Sequence, residues 1–328
     1  MTAAAEAGVM TMRVGWAGQE RSGALLAGGA VVLVGGSVAA SSLVGDYPVL
    51  GGQGVRYLLA GLLLAVWSRL RGEPLIRPTG REWGWLGALA AVGLAGCSVL
   101  MIQATRVADP GSVGVVIGAA PLVIVLAGAL VRRRRPATRL LVAAAVVAAG
   151  AAAAQSGSGA GSFSLLGFAL SLGALAGAVG TTVLAAPVLP RLGPMTVTVY
   201  SCVLAGGLLL VLAVQDGLAT GATVLRMPTL VEFGALAYLA VMVTGVVCIA
   251  WFGAMQRLGS ERTGLFNGLI PVASLAAVLL VGAGQVGAWQ LIGALAVLVG
   301  VVLGLRRGPV VTATASGPTI AGAVPVGR

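Results

Sequence analysis

Ten apolar runs constrain this chain more than any other feature. Each holds about 20 residues, and arginines, prolines or glycine-rich breaks separate them. They fall at approximately 23–44, 49–68, 84–105, 111–131, 138–155, 163–186, 195–214, 231–255, 263–282 and 286–305. A helix of that length crosses roughly 30 Å of hydrocarbon. Two breaks carry no charge, Gln155–Ser162 and Gly282–Gly287. Without the second, 263–305 would be a single helix about 64 Å long, twice a bilayer, so it must fold as a hairpin. Composition agrees: 58% of the 328 residues are hydrophobic, 9% are charged and the mean hydropathy is +1.03. Too little polar surface remains to wet a globule of this size, so lipid is the main solvent for the side chains.

The segment before the first run, 1–22, carries Arg13 and Arg21. The run from Gly23 to about Val44 is longer than a signal-peptide core and more spans follow it. It reads as an uncleaved first helix. The arginines also fix an orientation. With the N-terminus cytoplasmic, one side holds Arg13, Arg21, Arg69, Arg71, Arg77, Arg81, Arg132, Arg133, Arg134, Arg135, Arg139, Arg191, Arg257, Arg262, Arg306, Arg307 and Arg328. The other holds only Arg106 and Arg226, and Arg56 lies just inside a span. A miscounted span would invert every later loop and destroy this asymmetry. Both termini are therefore expected inside, with a cytoplasmic tail at 1–22 and a disordered cytoplasmic tail at 307–328.

The net charge of +11 does not indicate nucleic acid, because the basic residues sit in short loops and aromatics are only 5%. Cys97, Cys202 and Cys248 lie inside apolar runs with no CxxC spacing, which fits small buried side chains. The chain has neither His nor Lys. His-based acid–base catalysis, His metal ligands, lysine Schiff bases and a phosphate-loop lysine are all excluded. No enzyme activity, metal or cofactor is expected. Abundant Arg, Ala and Gly without Lys point to a GC-rich bacterial genome, and hence to a cell membrane.

Offsetting the chain by 150 residues exposes a repeat. Gly114-Val-Val-Ile-Gly118-Ala-Ala-Pro121 lies over Gly264-Leu-Phe-Asn-Gly268-Leu-Ile-Pro271, and both read GxxxGxxP. At the same offset Ala127 meets Ala277, Leu141 meets Leu291, Val147 meets Val297 and Gly150 meets Gly300. The repeats span 23–156 and 163–306 with five apolar runs each. An odd number makes the second copy cross in the opposite sense. The fold class is thus an all-α integral membrane protein of about ten transmembrane helices, arranged as two inverted five-helix repeats. Inverted repeats place a substrate site near mid-membrane at their interface. Glycines four apart let another helix approach closely. Each proline lacks an N–H and pushes away the carbonyl of Ile117 or Asn267, which then needs another partner. These kinks are either packing features or the site itself.

Few polar side chains lie within the runs. Arg56 is either an anchor for a carboxylate or other anionic group, an arginine reaching to headgroups, or a partner of Asp46. Gln103 and Asn267 are neutral amides suited to a cavity wall or to interhelical bonding. Ser37 and Ser41 share a face of the first span, where serines also bond back to their own helix. Trp251 and Tyr200 are candidate stacking walls, with interface anchoring as the rival for both, stronger for Tyr200 near the start of its span.

With its 5+5 layout, Arg56 at the entry to span two, and the two segments ending in Pro121 and Pro271, the chain resembles the EamA-type transporters of the drug/metabolite transporter superfamily. The stretch Gln290–Leu303 is similar to that family's closing span. The resemblance covers about 23–306 and implies secondary-active transport of a small metabolite, without specifying which. The family usually carries Glu just after each proline-bearing span, where this chain has Arg132 or Arg133 and Gln285. Span one also lacks the acid that the superfamily's small multidrug exporters use for proton exchange.

The leading functional reading is an exporter of a small metabolite, amino-acid-like or anionic, working by alternating access between the repeats. Its partners are that substrate and the lipid bilayer, with oligomeric state left open between monomer and homodimer. The alternatives are a non-transporting membrane scaffold or receptor, and a membrane-embedded lipid or isoprenoid enzyme. The last would need an acid pair of the DxxD kind or a His, which the sequence does not supply.

Overall fold

The computed structural model describes residues 18–35, 37, 44, 47–108, 110–131, 133, 135–155, 164–273, 276 and 287–305. The two expected tails, apart from residues 18–22, lie outside these residues, as do Ser41, Arg132, Gln285 and Asp46, the acid that sequence offered as a partner for Arg56. All regular structure among the described residues is helical, as hydrocarbon requires of a backbone that must satisfy itself.

In chain order the helices are α1 (18–35), α2 (Val49–Leu70), α3 (Gly80–Val107) and α4, broken into Pro110–Gly118 and Ala120–Val131. Next come α5 (Thr138–Gln155), α6 (Leu165–Ala185), α7 (Leu189–Thr220) and α8 (Leu230–Leu258). Then follow α9, which opens as Ser260–Leu265, and α10 (Ala288–Leu305). Among the described residues seven helices are long and apolar enough to cross a membrane: α2, α3, α4, α6, α7, α8 and α10. The apolar stretch of α5 is shorter, Thr138–Ala154, while α1 is described over 18–35 and α9 from 260 to 273.

The bundle turns apolar side chains outward. Leu70, Leu130, Leu218 and Leu230 are between 79% and 87% exposed, a surface suited to lipid rather than to water. Inside, Val125, Val147, Leu265, Phe266, Val297 and Val301 form one core. Leu86, Leu89, Val188, Leu192, Val197 and Phe252 form another.

The 150-residue offset reappears in three dimensions. A methyl group on Gly150 would lie 2.8 Å from the Gly293 carbonyl oxygen, and one on Gly300 would lie 3.0 Å from the Ala143 carbonyl oxygen. Gly300 and Gly293 are the repeat mates of Gly150 and Ala143, so the contact is self-complementary, as about a two-fold axis. The register shows direction as well. From residue 143 to 150 on α5, the facing residue on α10 falls from 300 to 293, so these two mates run antiparallel. The same holds for α2 and α7, where Gly54 faces Leu210 and Gly61 faces Val203.

Local motifs repeat too. Thr79 precedes α3 and donates its backbone N–H to Glu82 Oε2 at 2.7 Å. Thr229 precedes α8 and donates to Glu232 Oε2 at 2.8 Å, while the Glu232 N–H returns a bond to Thr229 Oγ1 at 3.3 Å. Both are capping boxes, which satisfy orphan N–H groups at a helix start. Each helix then widens into a π-helical stretch, Leu89–Gly96 in α3 and Leu239–Val246 in α8. These begin 150 residues apart, and neither the Thr-x-x-Glu boxes nor the π-helices follow from the apolar runs.

Both GxxxGxxP segments break their helices. α4 is interrupted at Ala119, whose N–H reaches only three residues back, to Val116, at 3.1 Å. α9 tightens to a 3-10 helix over Phe266–Leu269, and the Ile270 N–H bonds the Asn267 carbonyl. That carbonyl, expected to be orphaned by Pro271, is therefore rescued within its own chain segment. Span seven also begins earlier than expected. Leu189 opens α7, Gly193 takes φ 74 and ψ 165, and Pro194 restarts the helix. Only glycine adopts that left-handed value without strain, and the short first turn leaves Arg191 free to reach Glu82.

Candidate functional site

A cavity of about 420 Å³ lies between the two repeats. Ala30, Val31 and Val34 of α1, Tyr57 of α2, and Gly93 to Met101 of α3 line one part. Gly114, Ile117, Gly118 and Ala120 contribute the α4 break, and Asn267, Ile270 and Pro271 contribute the α9 break. Ala178, Thr181 and Thr182 of α6 and Val247, Cys248, Trp251 and Phe252 of α8 complete the wall. The two kinked motifs, 150 residues apart in sequence, thus face one space.

The wall is mainly apolar, with a few polar groups. The Tyr57 hydroxyl and Ser98 Oγ share a hydrogen bond of 3.0 Å. Thr181 Oγ1 donates to the Gly93 carbonyl at 2.8 Å. Gly93 lies in the π-helical stretch of α3, where one residue too many per turn displaces backbone bonds, a feature frequent at functional sites. A methyl group on Gly93 would lie 3.0 Å from Thr181 Cα, so a glycine is what lets α6 bond there. Asn267 is half-buried and makes no side-chain hydrogen bond among the described residues. No charged side chain among the described residues lines this cavity.

Of the residues singled out from sequence, Trp251, Asn267, Gly114, Gly118 and Pro271 border the cavity. Gly264 packs on Ile124 of the other half, where an added methyl group would lie 2.8 Å from the nearest carbon. Gly118 and Gly268 pack toward Ala151 and Val147 of α5. Pro121 sits one residue past the lining at Ala120. Ser37 donates to the Val34 carbonyl at 2.6 Å, a bond within its own helix. Tyr200 stands apart from the cavity and meets the edge of Trp83, with ring centres 5.1 Å apart.

Arg56 and Gln103 also lie elsewhere. Arg56 borders a recess of about 410 Å³ with Gln53, Thr105 and Arg106. Gln103 borders an adjoining recess of about 500 Å³ with Arg106, Asp216 and Arg226. Both recesses are lined by Tyr47, Pro48 and Val49, at the end of the bundle where α2 begins. The Arg56 guanidinium carbon lies 4.9 Å from the centre of the Tyr57 ring, whose hydroxyl belongs to the central cavity. Sequence reasoning missed Tyr57, Ser98, Thr181 and Thr182. The two threonines were legible only as an isolated polar pair on span six.

Each end of the bundle carries an arginine–glutamate pair. Arg191 of α7 holds Glu82 of α3, its Nε 2.6 Å from Oε1, and also donates to the Arg77 carbonyl at 3.1 Å. At the opposite end Arg226 holds Glu232, with Nη1 2.9 Å from Oε2. Tyr47 of the first half places its ring 5.2 Å from the Arg226 guanidinium and donates its hydroxyl to the Arg226 carbonyl at 2.8 Å.

The sequence pattern of the EamA-like transporter family matches residues 21–154 and, a second time, 165–306. The chain belongs to the EamA-like transporter family. The two matches coincide with the two halves whose helices pack as mates. A solved structure described as "Crystal structure of protein" superposes with a TM-score of 0.72 at 21% identity, covering 86% of this chain and 96% of that one. At that identity the likeness shows a shared fold. No match is found among curated proteins. As an EamA-like chain with helices of this length and apolarity, it is a multi-pass membrane protein of a transporter family.

Proposed function

We propose that this chain is a secondary-active transporter that exports a small metabolite by alternating access. The repeats cross the membrane in opposite senses, for ten crossings in all, with both termini in the cytoplasm of a bacterial cell. Three findings support this reading: the doubled family match, the antiparallel packing of mates, and the skew of arginines to one set of loops.

The observation that carries the proposal is the cavity bordered by both GxxxGxxP breaks. Broken helices at mid-span leave a site that either half can expose by rocking. The substrate class follows from the lining. A mainly apolar wall with Asn267, Thr182 and the Tyr57–Ser98 pair suits a compact molecule with an apolar body and one or two neutral hydrogen-bonding groups. A charged group would find no counter-charge there among the described residues, and burying it unpaired costs several kcal/mol.

A thermal-shift screen of the purified chain against amino acids, nucleosides and anionic metabolites tests this reading. Flux measurements in liposomes on every hit complete the test. Stabilisation at 100 Kd corresponds to about 2.7 kcal/mol, which a melting curve resolves. Saturable flux of a stabilising compound is the expected result. Absence of both across the screen would refute transport.

A further inference from the structure

We propose that the recess at the α2 start is an anion-binding site for a carboxylate or phosphate group, built on Arg56 and Arg106 and separate from the central cavity. The recess of about 410 Å³ is bordered by both arginines, and no acid lines it among the described residues. Neither arginine has a carboxylate within ion-pair distance among the described residues. In the adjoining recess the charge of Arg226 is taken up by Glu232.

Arg56 shows the need for a ligand most clearly. Its Nε is buried and has no hydrogen-bond partner among the described residues. Its one face rests on the Tyr57 ring, which holds the planar fork in place but satisfies none of its N–H groups. A guanidinium fixed this way matches the two oxygens of a carboxylate or phosphate. Gln53 stands beside it with its amide oxygen also buried and, among the described residues, unpartnered. Its oxygen and nitrogen are assigned by their partners. An anion in the recess would accept from the Arg56 Nε–H and, with the amide turned over, from the Gln53 N–H, which takes the place of the orphaned oxygen. Tyr57 separates the two compartments, with Arg56 on its ring in the recess and its hydroxyl on Ser98 in the cavity.

Binding is read at equilibrium and needs no flux, so its failure would leave the transport reading untouched. The full chain in neutral detergent is titrated with benzoate and with inorganic phosphate, following melting temperature and calorimetry. It is then placed in phosphatidylcholine nanodiscs with and without phosphatidylglycerol. Stabilisation by either soluble anion identifies a free ligand, and stabilisation by phosphatidylglycerol alone identifies a lipid headgroup; each supports the site. Arg56→Gln and Arg106→Gln should each weaken binding about tenfold or more, the loss of a charge-assisted bidentate contact. Arg81→Gln, an exposed arginine outside the recess, should leave it unchanged. Should Arg56→Gln fail to fold, the exposed Arg106 still carries the test. The proposal is overturned if no anion stabilises the chain, or if both recess variants bind like wild type.

Discussion

Arg191 holds Glu82 across the boundary between the two repeats. Its Nε and a second guanidinium nitrogen grip both carboxylate oxygens. The pair is partly exposed, with 47% of the Arg191 side chain and 14% of Glu82 reached by solvent, so its contribution to overall stability is small. Its consequence in the proposed cycle is positional, since rocking one half against the other at this end would require the pair to open.

Arg191→Gln should therefore favour the state open at the Glu82 end. Cys248 lines the cavity and reports access when it is the only cysteine, with Cys97 and Cys202 changed to Ala. A membrane-impermeant maleimide should label Cys248 faster from that side in Arg191→Gln. The swap Glu82→Arg with Arg191→Glu should bring the rate back toward wild type. Equal labelling in all three proteins would mean the pair is no barrier to access.

The mates α5 and α10 touch through backbone at Gly150 and Gly293. A methyl group on Gly150 would meet the Gly293 carbonyl at 2.8 Å. Gly150→Val should therefore lower stability by about 1–3 kcal/mol, the usual cost of overpacking, and Gly300→Val should do the same by pseudo-symmetry. Gly207→Ala makes a contrast, because nothing among the described residues stands within 4 Å of its added carbon. Relief of glycine's backbone freedom should there raise stability by about 0.5–1 kcal/mol. Melting temperatures in detergent check all three, and equal effects at Gly150 and Gly207 would contradict the close-packed contact.

Pro271 sustains the 3-10 turn over Phe266–Leu269. Pro271→Ala returns an N–H that can bond the Asn267 carbonyl in normal helical register. The α9 break should then straighten, with stability kept or raised and substrate flux reduced. Pro121→Ala should act likewise on the break at Ala119. Flux equal to wild type in both variants would show the kinks to be packing features alone.

Trp251 of α8 and Asn267 of α9 both border the cavity. Trp251→Leu should raise the KM for the transported compound about tenfold, on the order of 1.4 kcal/mol of lost aromatic contact. Asn267→Leu should reject substrates that carry a hydrogen-bonding group while sparing more apolar analogues. Initial-rate transport assays separate the two, and an unchanged KM in both would place the substrate elsewhere.

The two halves were legible because a duplicated apolar pattern survives as a fixed offset. Gly150 and Gly300 were paired by sequence, and it is through Gly150–Gly293 and Gly300–Ala143 that the mates meet. The helix breaks were legible because proline acts on its own backbone, whatever surrounds it. The assignment of side chains to compartments was not. Arg56 and Tyr57 are neighbours in sequence, yet about 100° of helix rotation sends one to the end recess and the other to the cavity. Gln103 lies less than two turns from Ser98 but has already left the cavity for the bundle end. The π-helical stretches defeat any 3.6-residue reading, because an extra residue per turn rotates the face that follows them. The Thr79–Glu82 and Thr229–Glu232 boxes were readable at the same offset of 150.

The central claim is that the space between the repeats carries a small molecule through the membrane. Proteoliposomes loaded with a bacterial metabolite extract test it most directly, with mass spectrometry of what leaves over time. Wild-type protein should release a small, saturable set of compounds that empty liposomes retain. The Trp251→Leu, Asn267→Leu double variant should retain them while melting as a folded protein. Identical retention by wild type, double variant and empty liposomes would contradict the account.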